Sequence, residues 1–78
     1  MTTTLDRLGR GARAMVRQIR AARPIRHRLG SLGVHPGDTL EVLRRSWLSG
    51  PVLITIHGIE LALGRGEAEV IEVELAEP

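Results

Sequence analysis

A small antiparallel β-barrel with one short covering helix is the fold this sequence predicts, and three observations lead to it. In the C-terminal half the apolar residues recur with period 2 in four separate segments, as half-buried strands require. Glycine, proline and serine separate those segments and supply turn chemistry. With only 78 residues the chain makes one domain, 1–78, whose single sheet is too small to sandwich and is expected to curl on itself to remove its edges. Residues 1–5 and 76–78 are expected to be flexible ends.

The N-terminal half offers two readings. Leu5, Leu8, Ala12, Met15 and Ile19 fall at helical spacing with arginines interleaved, so Leu5 to Arg20 could form a basic amphipathic helix. Gly9 and Gly11 oppose it, because each costs about 1 kcal/mol inside a helix. The favoured alternative is a strand from Ala12 to about Arg20 with Ala14 and Val16 inward and the glycine pair turning the chain before it, although Ile19 breaks the alternation.

Pro24 to Leu32 reads as a short helix. Proline suits a first turn, Ile25, Leu29 and Leu32 share one face, and Gly33 is placed to end the helix in the left-handed conformation. Pro36-Gly37 then turns the chain into a strand beginning at Thr39. Val52, Ile54 and Ile56 form the next strand, and His57-Gly58 closes a tight type I′ hairpin onto Ile59, Leu61 and Leu63. Gly64 to Glu69 is a loop with room for one helical turn at Glu67 and Ala68, and Ile71, Val73 and Leu75 make the last strand. The expected result is a mainly β, SH3-like barrel of about five strands with one helix between the first and second.

Composition narrows the chemistry. The chain has no Cys, which excludes disulfides, thiolate metal sites and cysteine nucleophiles. All eleven basic residues are Arg, which excludes a Walker A lysine and a Schiff-base lysine. Ser31, Ser46 and Ser49 lack nucleophile-elbow context, Asp6 and Asp38 read as turn and cap residues, and Glu67 to Glu77 reads as a solvated strand edge. No catalytic residue and no cofactor is expected. His27, His35 and His57 have no metal-ligand spacing, so no metal site is named. No apolar stretch approaches the roughly 18 residues that span a bilayer, and a cytoplasmic location is expected.

Charge is divided unevenly. Residues 1–45 carry ten Arg against three acids, and residues 46–78 carry one Arg against six Glu. Such asymmetry marks either a basic surface for an external partner or two faces that complement each other. The arginine series is open to three uses: a solvated face, contact with an acidic partner, or contact with RNA or anionic lipid. It has no interleaved aromatic residue, so nucleic acid is not the expected partner.

The candidate binding residues are Arg26, Arg28, Leu29 and Leu32 on the helix and Trp47 and Leu48 in the loop between Arg45 and Val52. Trp47 is the only aromatic residue, and it either plugs one end of the barrel or anchors a partner. The helix face of Ile25, Leu29 and Leu32 is expected to pack on the core, with its rim left for contact. An apolar cleft between the helix and the Trp47 loop is a candidate seat for a partner segment.

Several stretches together resemble the FeoA family of ferrous iron transport proteins from Asp6 to Val73. They are DRLGRG from Asp6 to Gly11, IRHRLGSLGVHPG from Ile25 to Gly37, Val42 to Arg45, Gly50-Pro51, and IELALGRGEAEVIEV from Ile59 to Val73. Gly30, Ala21-Ala22-Arg23 and Trp47 depart from the family's usual residues. The resemblance implies an SH3-like accessory protein in the bacterial cytoplasm, working with FeoB, the membrane-embedded ferrous iron transporter that carries a GTPase domain. It implies membrane contact only through that partner, a family-level link to transition-metal ions, and leaves self-association open. The alternatives are a basic barrel that binds RNA or an anionic membrane surface, and a free-standing copy of the SH3-like domain found in iron-dependent repressors.

Overall fold

The computed structural model describes residues 1–46, 48 and 50–76. In chain order it contains β1 (Thr2–Thr4), a 3-10 turn (Leu5–Arg7), β2 (Arg13–Ile19), α1 (Arg23–Ser31), β3 (Thr39–Arg45), β4 (Val52–Ile56), β5 (Ile59–Leu63), α2 (Arg65–Val70) and β6 (Ile71–Leu75). The strands form one antiparallel sheet in the order β1-β6-β2-β3-β4-β5. The mainly β fold with a helix after the first long strand is therefore as the sequence predicts, with differences in detail.

The strand reading of the N-terminal half is correct. Ala14 and Val16 are fully buried, and the turn before β2 closes with Ala12 N–H donating to the Gly9 carbonyl at 3.1 Å. Gly11 holds φ at 87°, which an L side chain would strain to adopt. The alternation that Ile19 breaks is resolved by a bulge. Val16 pairs with Val73 and Gln18 with Glu72, so Arg17 is the extra residue and Ile19 returns to the core side opposite Ile71.

Three expectations need correction. There are six strands, because Thr2–Thr4, expected to be part of a flexible end, pairs with β6, and Leu5 behind it is fully buried. The strand carrying Glu72 and Glu74 is not an edge, because β1 covers one side of it and β2 the other. The sheet also keeps its edges, β1 and β5, which do not pair with each other. Packing rather than strand pairing closes the curl: α2, directly after β5, lies against the 3-10 turn and β1 and buries Ala68. The expected loop with one helical turn is this α2 helix, opened by the Gly64 N–H donating to the Glu67 carboxylate at 2.9 Å.

The core draws one side from each long strand, including Leu40, Val42, Ile54, Ile56, Leu63, Ile71 and Val73. At the tip of the β4–β5 hairpin His57 and Gly58 take φ values of 53° and 74°, the paired left-handed conformations of a type I′ turn.

Candidate protein-binding surface

α1 begins at Arg23 with Pro24 in its first turn, where the missing N–H costs nothing. Its end is built by Gly33, whose φ of 98° lets the chain reverse. The Gly33 N–H then donates to the Gly30 carbonyl and the Val34 N–H to the Leu29 carbonyl, each at 3.0 Å. Leu29 and Val34 are both fully buried, so this C-terminal motif joins helix to core by hydrogen bonds and by apolar contact together.

Only Leu29 of the predicted apolar face packs inward. Ile25 and Leu32 remain 42% and 41% exposed. The expectation that the whole face is core is thus wrong, and so is the expectation that Leu29 offers contact surface, because a side chain with no exposure cannot touch a partner. The reason is geometric. α1 packs only sparsely on the other elements, so the one residue that meets the core, Leu29, is covered and its neighbours on the face stay open.

Of the other candidates, Leu48 is 84% exposed and Trp47 lies outside the described residues. The loop that carries them is pinched at its base, where a Cβ on Gly50 would fall 2.6 Å from the Ser46 Cβ. Arg28 places its Nε 3.6 Å from Glu67 of α2, and Arg65 of α2 donates through Nη1 to the Leu48 carbonyl at 2.5 Å. The first turn of α2 is thereby linked both to α1 and to the loop, so the two predicted contact elements are joined by polar groups. Arg26 faces the other flank of α1, beside Gly30 and His35 in a groove of about 460 Å³.

Part of the uneven charge is answered within the sheet. Arg17 lies 3.7 Å from Glu72 and 3.1 Å from Glu74, and Arg20 lies 2.9 Å from Glu72, across the β2–β6 pairing. The basic first half and the acidic second half are neighbours here.

Asp38, expected as a turn and cap residue, also makes a contact to His57 that was not read from the sequence. Asp38 accepts a hydrogen bond from the His35 N–H at 2.9 Å, lies 3.6 Å from His35 Nδ1, and lies 3.0 Å from His57 Nε2. Burial works to raise its pKa, but the His35 N–H, the His57 hydrogen bond and the charges of both imidazoles outweigh it and hold the carboxyl below its ordinary value. The His-Pro-Gly-Asp sequence was the available signal for the first contact, since an aspartate closing a turn often binds the turn's own N–H. Among the described residues no cluster of three or more His, Asp or Glu is placed to hold a metal ion, and no helix is long and apolar enough to cross a membrane.

A single antiparallel sheet with a short helix anchored through Leu29, its flanks open, defines a small SH3-like domain with an exposed apolar and basic surface. Residues 3–75 match the model of the FeoA domain, and the chain belongs to the FeoA family. It is 40% identical over 67 residues to a Methanocaldococcus jannaschii protein named as Fe(2+) transport protein A, covering 86% of this chain and 79% of that one. Among solved structures, the crystal structure of an iron uptake regulatory protein, FeoA, superposes with a TM-score of 0.91 at 33% identity, covering 97% of this chain and all of that one. FeoA of Stenotrophomonas maltophilia complexed with zinc, described as a prokaryotic SH3 domain protein, gives a TM-score of 0.79 at 25% identity, covering 92% and 89%. The same fold recurs in a manganese-dependent transcriptional repressor, with a TM-score of 0.89 at 26% identity, where 96% of this chain matches 37% of the longer one.

Proposed function

We propose that this chain is a non-enzymatic cytoplasmic accessory protein that supports ferrous iron uptake by binding FeoB, the transporter with its own GTPase domain. The observation that carries the reading is the exposed surface on one family-typical fold: Ile25 and Leu32 open on α1, Leu48 open in the neighbouring loop, and Arg28 beside them. Apolar side chains of this size left open on so small a domain favour a contact surface over a solvated one. Leu32, Leu48, Arg26, Arg28 and Trp47 are the proposed contact residues, with Leu29 holding the helix in place from beneath.

Sequence identity weighs against the repressor reading, at 26% with that protein and 40% with the Fe(2+) transport protein A. The test is co-purification of FeoB with the tagged chain from membranes. Leu32→Glu and Leu48→Glu should each lose the transporter while leaving the circular dichroism spectrum and expression unchanged. Retention of the transporter by both variants would sink the reading.

A further inference from the structure

We infer that the groove along the opposite flank of α1 binds an acidic peptide segment of a partner protein. Two adjoining depressions form it. The larger, about 460 Å³, is lined by Arg23, Arg26, His27 and Ser31 together with Gly30 and His35. The second, about 260 Å³, shares Arg26, Gly30 and His35 and adds Gln18 with the apolar Ile19 and Pro36, over the buried Val34. Neither lining contains a carboxylate.

Two other surface depressions each contain one, Glu41 and Glu72. Arg17, Arg20 and Arg28 each face a glutamate of the same chain, whereas Arg23 and Arg26, like Arg7, Arg10, Arg13 and Arg44, have no ion pair among the described residues. The acids beside the groove are already engaged, Asp38 by the His35 backbone N–H and His57, and Glu72, which accepts from Gln18, by Arg17 and Arg20. His35 turns Nδ1 toward Asp38 and Nε2 toward Gly30, where a Cβ would come within 3.3 Å of it. Gly30 thus keeps the middle of the groove open, with two guanidinium groups along its rim.

Shape selects a chain rather than a small ion. The lined part of α1 runs from Arg23 to Ser31, about 12 Å at 1.5 Å per residue, the length of roughly four extended residues. Cations along the rim and an apolar floor suit carboxylate side chains that flank one apolar residue. No aromatic residue is present to stack a nucleobase, and the apolar part is recessed rather than projecting as insertion into a lipid surface would need. The inference shares with the FeoB reading only the premise of a binding module and the residue Arg26.

The test titrates the full, 15N-labelled chain with a short synthetic peptide of Asp, Glu and Leu, and with its Asn/Gln counterpart. The acidic peptide should shift the backbone amides from Arg26 to Ser31 and those of Val34 and His35, and the neutral one should not. Arg23→Gln with Arg26→Gln should weaken binding by at least about tenfold, and added salt should weaken the wild-type complex. Gly30→Leu, whose Cβ would press on His35 Nε2 at 3.3 Å, should block binding while the circular dichroism spectrum stays that of the wild type. Shifts of equal size with the neutral peptide, or shifts mapping elsewhere, would overturn the inference. So would saturation of the same amides by inorganic phosphate alone, by an RNA oligonucleotide or by phosphatidylserine vesicles at lower concentration than the peptide, or by self-association on concentrating the chain. Co-purification of FeoB, followed in parallel, fails or succeeds independently of these shifts and so separates the two readings.

Discussion

His57 Nε2 lies 3.0 Å from Asp38 Oδ1, which fastens the tip of the β4–β5 hairpin to the turn that follows α1. The other oxygen of the same carboxylate holds the His35 N–H. A single side chain therefore connects the end of the surface helix to the far end of the sheet. Elsewhere in the sheet Glu74 does comparable work, accepting from the N-terminal ammonium of Met1, from Thr2 and from Arg17 and so joining β1 and β2 to β6.

Both carboxylates contribute stability that acid removes. Hydrogen bonds from the N-terminal ammonium, Thr2 and Arg17 lower the Glu74 pKa to about 2, against a smaller opposing effect of burial. A folded-state pKa below the unfolded value means stabilisation that is present above the unfolded pKa, about 4.3 for glutamate, and is lost as pH falls toward the folded one. Denaturant midpoints measured between pH 5 and pH 2, the span of roughly those two values, should fall steadily for the wild type. Glu74→Gln should flatten that fall, and a curve parallel to wild type would refute the assignment. Asp38→Asn should remove a further part of it at the lower end, where the depressed Asp38 carboxyl takes up its proton.

Leu29 and Leu32 lie three residues apart on one helix and should behave differently. Leu29→Ala leaves a cavity in the core and should cost about 2–5 kcal/mol, a large part of the stability of so small a domain. Leu32→Ala, with its side chain already 41% exposed, should cost under about 1 kcal/mol. Urea denaturation of the two variants measures this directly, and similar losses would mean that the helix packs through its whole apolar face.

The sheet was legible because each long strand carries its own period-2 record, and tight turns at Gly11, Gly33 and His57-Gly58 need residues that announce themselves. Thr2–Thr4 left no such record: three threonines have no apolar alternation, and their pairing with β6 depends on a strand seventy residues away. The same distance concealed the pairing of Arg17 and Arg20 with Glu72, although the charge totals of the two halves gave its outline. For α1, spacing identified the residues on one face but not how much of that face the curled sheet would cover. The binding surface was for that reason only half visible, its residue types in the sequence and its exposure only in three dimensions.

The hairpin tip tests the turn argument. Gly58 holds φ at 74°, a conformation that costs an L side chain about 1–2 kcal/mol. Gly58→Ala should destabilise by about that amount, and a thermal scan would detect it as a lowered melting temperature. An unchanged melting temperature would show that the tip relaxes into a different turn. His57→Gly removes the strain at its own φ of 53° but also removes the bond to Asp38, so its net effect compares the two contributions directly.

The base of the Leu48 loop provides a sharper test, because it ties backbone packing to the proposed contact surface. A Cβ at Gly50 would fall 2.6 Å from the Ser46 Cβ and 2.7 Å from its Oγ, closer than atoms can approach, so Gly50→Ala forces the two sides of the loop apart. Overpacking of this kind costs typically about 1–3 kcal/mol. Ser46→Gly removes both crowding atoms and should recover part of the loss, which makes the pair a double-mutant cycle with a favourable coupling. The displaced loop would also carry Leu48 away from Arg65, whose guanidinium holds the Leu48 carbonyl. Gly50→Ala is therefore expected to weaken capture of FeoB, and the double variant to restore it in proportion to the recovered stability. Capture that stays at wild-type strength while stability drops would separate the loop from the contact surface and leave α1 as its sole support.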